Sequence, residues 1–249
     1  MNFSFDEKKH IYYLDDKKLT GVTSIIGVLA KPALISWSAR MAADYLDGAV
    51  KEIAIHADWE AMLSDGTWDK LVVDSKNAHT KKKEAAGEHG TDAHALVEEW
   101  INECLEHGGS PFAAAAGNAH ETIGKVVQWA SQNVDHFLFA ERRMYWADPY
   151  WIAGTADFAY VGKDGKRYMA DFKTSSGIYG VDYWLQVAAY RMLAEHAGDE
   201  PYDGATVVRL GKDGSFEVQQ RFDYETDREA FLACLTIYRA QQTYTKVKR

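Results

Sequence analysis

The chain has 249 residues, 47% hydrophobic and 26% charged, the mix of a globular protein that can bury a large core. No apolar run approaches the roughly eighteen residues of a membrane-spanning helix. A net charge of −9 argues against a broad basic nucleic-acid-binding face, but an averaged charge leaves a locally positive site open.

The opening MNFSFDEKKH lacks the basic-then-apolar layout of an export signal. Cys104 and Cys234 are far apart and form no C-x-x-C pair, so a reduced, cytoplasmic setting is expected. KHIYYLDDKKLTGVTSII predicts a strand, a turn at DDKK and a second strand. A helix follows around LISWSARMAADYLDGAV, and residues 78–136 read as helical. There, Ala93, Leu96, Val97, Trp100, Ile101 and Leu105 form one stripe, which stops at a Gly-Gly C-cap. A second helix near HETIGKVVQWASQNV leads into a strand at FLFAERRMYW.

Next comes GTADFAYVGKDGKRYMADFKT, a hairpin from Gly154 to Thr174, then a helix at GVDYWLQVAAYRMLAEH. Another hairpin turns at Lys212-Asp213-Gly214, and a last helix starts at Thr226 or Asp227, either a good N-cap. The order predicts an α/β (α+β-like) fold, a central mixed sheet flanked by helices, in one continuous domain over 1–249. Its helical N-terminal half spans 1–136 and its core 137–249. The basic stretches Lys81–Lys83, Arg142-Arg143 and KVKR read as solvated faces before nucleic-acid contacts.

The first hairpin carries acids where apolar residues would fold better. With Lys163–Gly165 as the loop and Gly165 left-handed, Val161 faces Arg167 and Asp157 faces Asp171. Thr155 then faces Lys173, and one face carries Thr155, Asp157, Asp171 and Lys173. The other carries Ile152, Ala156, Phe158, Tyr160, Tyr168, Ala170 and Phe172. A two-residue loop would split that apolar face, so the pattern selects the longer one. Like charges side by side destabilise a sheet. They call either for a divalent cation such as Mg²⁺ or Mn²⁺ between them or for a solvated face with an Asp–Lys pair.

GTAD, then DFK on the next strand, then QVAAY on a helix, with GTDAH upstream, resembles the PD-(D/E)XK nuclease superfamily. The likeness is greatest to its RecB-like branch, which includes phage exonucleases and the mitochondrial genome maintenance exonuclease. It implies a restriction-endonuclease-like core and a DNA nuclease, an exonuclease before a structure-specific endonuclease. Asp157 and Asp171 would be metal ligands with the Phe172 backbone carbonyl, and Lys173 the catalytic lysine. His94, from 1–136, would complete the shell around one or two Mg²⁺ or Mn²⁺ ions, and Gln186 and Tyr190 match the Q-x-x-x-Y motif. Glu98 and Glu141 are accessory candidates, each also readable as a surface acid or salt-bridge partner. His94, Gln186 and Tyr190 have plain readings as well, a partly buried histidine and core-edge residues.

Two cysteines are too few for an iron–sulfur cluster of four. Trp146, Tyr150, Trp151, Tyr179, Tyr183 and Trp184 lie near the motifs, mostly as core, some able to stack on bases. The implied partners are single-stranded DNA or duplex ends, with a recombinase or single-strand-binding protein alongside, in the host cytoplasm if phage-encoded. The competing class is an inactive DNA-binding or assembly module of the same fold.

Overall fold

This computed structural model describes residues 1–53, 59–111, 121–211 and 213–247, without the side chains of 33, 83–92, 121–122 and 245–247. Lys83, Lys212, the first three residues of GTDAH and the basic tail therefore lie outside the described side chains. Contacts divide the chain into Met1–Leu29 with Asp92–Arg249, and Ala30–Thr91.

In the first unit, Phe3–Asp6 (β1) pairs antiparallel with Ile11–Leu14 (β2), and Lys17–Lys18 (β3) pairs with β2. Asp15 and Asp16 make the turn at φ 46° and 64°, both left-handed as a two-residue type I′ connection requires. The expected second strand is largely replaced. Thr20–Gly21 (β4) is followed by a helix over Val22–Ile26 (α1). β-branched residues favour strand, but Val22, Ile25 and Ile26 fall at helical spacing and all are buried. Packing outweighs propensity here.

Val134–Trp146 (β5), Ile152–Gly162 (β6), Arg167–Lys173 (β7), Gly204–Leu210 (β8) and Phe216–Arg221 (β9) join β4 in a six-stranded mixed sheet. Val181–His196 (α6) connects β7 to its parallel neighbour β8. The fold is α/β, a mixed sheet flanked by helices. Leu185, Ala189 and Leu193 of α6 and Phe231 of Tyr224–Val247 (α7) share a core with Ala159, Met169 and Val207. A second core joins Phe158, Tyr160, Ala170 and Phe172 to Val97, Trp100, Ile101 and Cys104 of Thr67–Glu106 (α4) and Val126 of Glu121–Asn133 (α5).

Several details differ from expectation. Leu96 is exposed and Cys104 takes its place on the buried stripe of α4. Gly108 and Gly109, at φ 91° and 84°, do end that helix. The last helix starts at Tyr224, and the Asp227 carboxylate, expected as a cap, instead accepts from Arg221 Nε at 2.6 Å.

The β6–β7 register is the expected one, from Val161 opposite Arg167 to Phe158 opposite Ala170. Gly165 is left-handed at φ 77°, and the Gly162 N–H donates to the Lys166 carbonyl at 2.8 Å. The ladder stops at Phe158, so Asp157 and Asp171, and Thr155 and Lys173, are not ladder pairs. Ile152 and Ala156 belong to the core beneath α6 and not with Phe158. This central strand is buried on both faces; Ala156 and Ala159 share one core while Phe158 and Tyr160 share the other, so strict two-residue alternation breaks between Ala156 and Phe158.

β5 pairs along the whole length of β6. β4 and β7 therefore share the other edge, β4 at Ile152 and Ala153, β7 at Phe158 to Val161. Residues 154–157 lie in the notch between them, and this notch positions the site.

The second unit consists of Pro32–Ile53 (α2), Trp59–Ser64 (α3) and the first part of α4. Trp37 meets His79 edge-on at 6.4 Å. Its ion pairs, Lys51 with Asp47 and Lys81 with Asp74, lie toward solvent and contribute little. Among the described residues no helix is long and apolar enough to cross a membrane.

Candidate active site

Asp157 lies in the notch, and the Phe172 N–H donates to its Oδ2 at 2.7 Å. That bond does the joining the ladder no longer does. Asp171, only 1% exposed, is ion-paired through Oδ2 with Lys173. The Lys173 ammonium also donates to Gln186 Oε1 at 3.1 Å. The Gln186 amide donates in turn to Asp171 Oδ1 at 3.0 Å and to the Tyr190 hydroxyl oxygen at 2.8 Å. Gln186 and Tyr190 are four apart on α6 and share one face. Asp171, Lys173, Gln186 and Tyr190 thus form one hydrogen-bonded chain with Asp157 beside it.

Burial and the neighbouring Asp171 carboxylate hold the Asp157 pKa well above the usual carboxylate range. Burial works against the Lys173 ammonium, but Asp171 and Asp157 outweigh it and keep its pKa above the ordinary lysine value. Burial, then the same two acids, push the Tyr190 hydroxyl far up. Lys173 is therefore a cation at neutral pH and Tyr190 a neutral hydroxyl. Because Tyr190 accepts from Gln186, its own hydrogen can serve another acceptor.

His94, on α4, has its Nε2 buried with no hydrogen-bond partner. Its ring lies 6.0 Å from that of Phe172. Burial lowers its pKa, opposed by Asp171, so it is a neutral imidazole with an available nitrogen. Glu141 sits between two ladder pairs, Ala140 with Phe158 and Arg142 with Ala156, at φ 43°. A non-glycine residue there costs about 1–2 kcal/mol, the kind of strain that gathers at functional sites. Burial, then Glu98, raise the Glu141 carboxyl to about 7, against the pull of Arg143 and with a further push from Asp171. Glu98 and Glu141 therefore belong to one acidic surround.

A pH prediction follows from Glu141. Its folded pKa of about 7 exceeds the ordinary 4.5. The folded state holds the proton more tightly, so this stabilisation is complete below about 4.5 and lost as pH rises through about 7. Asp157 pushes in the same direction. Melting temperature in EDTA should fall from pH 5 to pH 8, and Glu141→Gln should fall less and melt higher at pH 8. Parallel pH profiles for the two proteins would contradict this.

Three contributions were not read from the sequence, although Gly154 and Tyr183 were named there. A Cβ on Gly154 would lie 2.7 Å from Tyr190 Cε1 and 3.1 Å from Val22 Cγ2. The glycine of GTAD is thus the space into which the Tyr190 ring fits. The Tyr12 hydroxyl hydrogen-bonds Thr155 Oγ1 at 2.8 Å, tying β2 to the strand of Asp157. Lys173 Nζ lies 5.3 Å from the centre of the Tyr183 ring, a cation–π contact. Gly154 was legible as part of a motif but not in its role; Tyr12 carries no sequence signal. Of the candidate stacking aromatics, Trp146 is stacked on His196 at 4.0 Å, and Tyr179 stands 79% exposed.

Among the described residues no group of three His, Cys, Asp or Glu stands together in metal-holding arrangement. The donors nonetheless suit a hard divalent cation. Two carboxylates lie close enough to perturb each other, and beside them is a buried imidazole nitrogen with no partner.

No family model matches the chain, and no curated protein matches it. A solved structure titled "Crystal structure of SSO0001" aligns over 90% of this chain and 79% of that one, at 13% identity and a TM-score of 0.34.

Proposed function

We propose that the chain is a metal-dependent deoxyribonuclease of the PD-(D/E)XK superfamily, RecB-like branch, with exonuclease action favoured. The observation that carries this reading is the chain of contacts from Lys173 through Asp171 and Gln186 to Tyr190, beside Asp157 and the unpartnered nitrogen of His94. A structural ion pair would need neither the second acid nor an imidazole left unsatisfied. Asp157, Asp171, His94 and the Phe172 carbonyl would hold Mg²⁺ or Mn²⁺. When bound, such a cation supplies Lewis acidity toward the phosphate and lowers the pKa of water.

The chain's own residues do the rest. The Lys173 ammonium donates to the attacking water and the phosphate oxygens and stabilises charge that builds up there. Gln186 fixes the ammonium and Asp171 relative to each other, and Tyr190 fixes Gln186. Water adds to phosphorus and gives up a proton to solvent, the P–O bond to the leaving sugar breaks, and that oxygen takes a proton from solvent.

Incubation with labelled single- and double-stranded DNA plus Mg²⁺ or Mn²⁺ should release short products, and EDTA should stop it. Strands labelled at the 5′ or 3′ end should lose label from one end, with circular DNA spared. No cleavage of any nucleic acid with either metal would refute the reading and favour an inactive binding module.

A further inference from the structure

A cavity of about 320 Å³ opens beside the candidate active site, lined by Glu141, Thr155 and Tyr190 on the core side. Its other wall comes from β1, β2, β3 and α1, elements that carry none of the proposed metal ligands or catalytic groups. That wall brings Phe5, Tyr12, Lys18 and Ser24, and Arg143 reaches in from β5. The rings of Phe5 and Tyr12 lie 4.6 Å apart, and the Arg143 guanidinium sits 4.6 Å from the centre of Phe5. Tyr12 bonds Thr155, two residues from Asp157, so the cavity floor is continuous with the strand that carries chemistry.

We infer that this cavity seats the terminal nucleotide of the DNA strand being cut; the inference rests on the nuclease reading and adds where the strand end lies. The volume falls at the small end of ligand pockets, suited to one nucleotide and not to a duplex. Aromatic rings offer a face to a base, and an arginine and a lysine offer charge to a phosphate. The Arg143–Glu7 pair is exposed at both ends, 45% and 68%, so releasing it for a phosphate costs little. The hydrogen left over on Tyr190 points to the same use, since Tyr190 lines the cavity.

The test is calorimetric titration of thymidine 5′-monophosphate and thymidine 3′-monophosphate into the metal-free full chain, into Arg143→Ala and into Ser24→Trp. Ser24 is exposed on α1, so a tryptophan there fills the cavity without entering the core; melting curves confirm the fold of each variant. Wild type should bind one monophosphate per chain, and the tighter-bound isomer gives the end recognised. Arg143→Ala should weaken binding by about tenfold or more and Ser24→Trp should abolish it. With metal, Ser24→Trp should slow digestion of linear DNA in proportion. Unchanged binding in both folded variants overturns the seat even if wild type cleaves DNA. Equal cleavage of circular and linear strands overturns it too. Nucleotide binding that both variants lose, with no cleavage by wild type, upholds the cavity as a nucleotide site but rejects the nuclease reading and with it the seating of a strand being cut.

Discussion

Lys173→Ala is expected to lower DNA cleavage roughly 10²–10³-fold, the usual loss when one preorganised donor is removed from charge that develops in a transition state. Lys173 is the ammonium in contact with Asp171, and Gln186 and Tyr183 hold it in place. Its removal also leaves Asp171 buried with only the Gln186 amide as partner. Breaking such a pair typically costs about 3–5 kcal/mol, so alanine alone confounds activity with stability. Asp171→Asn separates the two. It keeps the volume and an acceptor for Gln186 but discards the charge; the ammonium it leaves is 18% exposed and still has Asp157 beside it, so the variant should fold and cleave as poorly as Lys173→Ala. End-point cleavage assays on variants with verified melting temperatures check this. Wild-type rates in both would remove Asp171 and Lys173 from the site.

A loss of stability of similar size, about 3–5 kcal/mol, is expected from Phe158→Ala, the range for truncating a buried phenylalanine. Phe158 is fully buried and stacks on Phe172 at 4.5 Å with rings 20° apart, near Phe137 and Tyr160. It follows Asp157 directly, and its stacking partner is the residue whose N–H holds the Asp157 carboxylate. Packing on one face of β6 therefore fixes the acid on the other. For a chain of this size the melting temperature should drop by roughly 6–20 °C. Urea midpoints for Phe158→Ala and the milder Phe158→Leu should rank with lost volume; equal midpoints would count against this packing account.

How far the sequence could be read depended on how local each determinant was. The β6–β7 register follows from Gly165 and from alternation over neighbouring residues, so it could be derived without coordinates. Gln186 and Tyr190 meet because four residues make about one helical turn. The helix over Val22–Ile26 was read as strand because β-branched residues bias that way, while the α6 and α7 surfaces that override the bias come from the far end of the chain. The Tyr12–Thr155 bond joins residues 143 apart, and no local pattern announces it. The positive φ at Glu141 was equally hidden, since glutamate gives no hint of a left-handed backbone.

The pairing of β4 with β6 sets an order of events during synthesis. Thr20 and Gly21 leave the ribosome long before their partners Ile152 and Ala153. Leu14 and Leu19, both nearly inaccessible in the finished protein, pack on Ala153 and must wait exposed until then. Contacts so distant in sequence close slowly, and apolar segments left waiting are where chains associate wrongly. The first 29 residues should thus be the last part of their unit to become protected in pulsed hydrogen exchange during refolding.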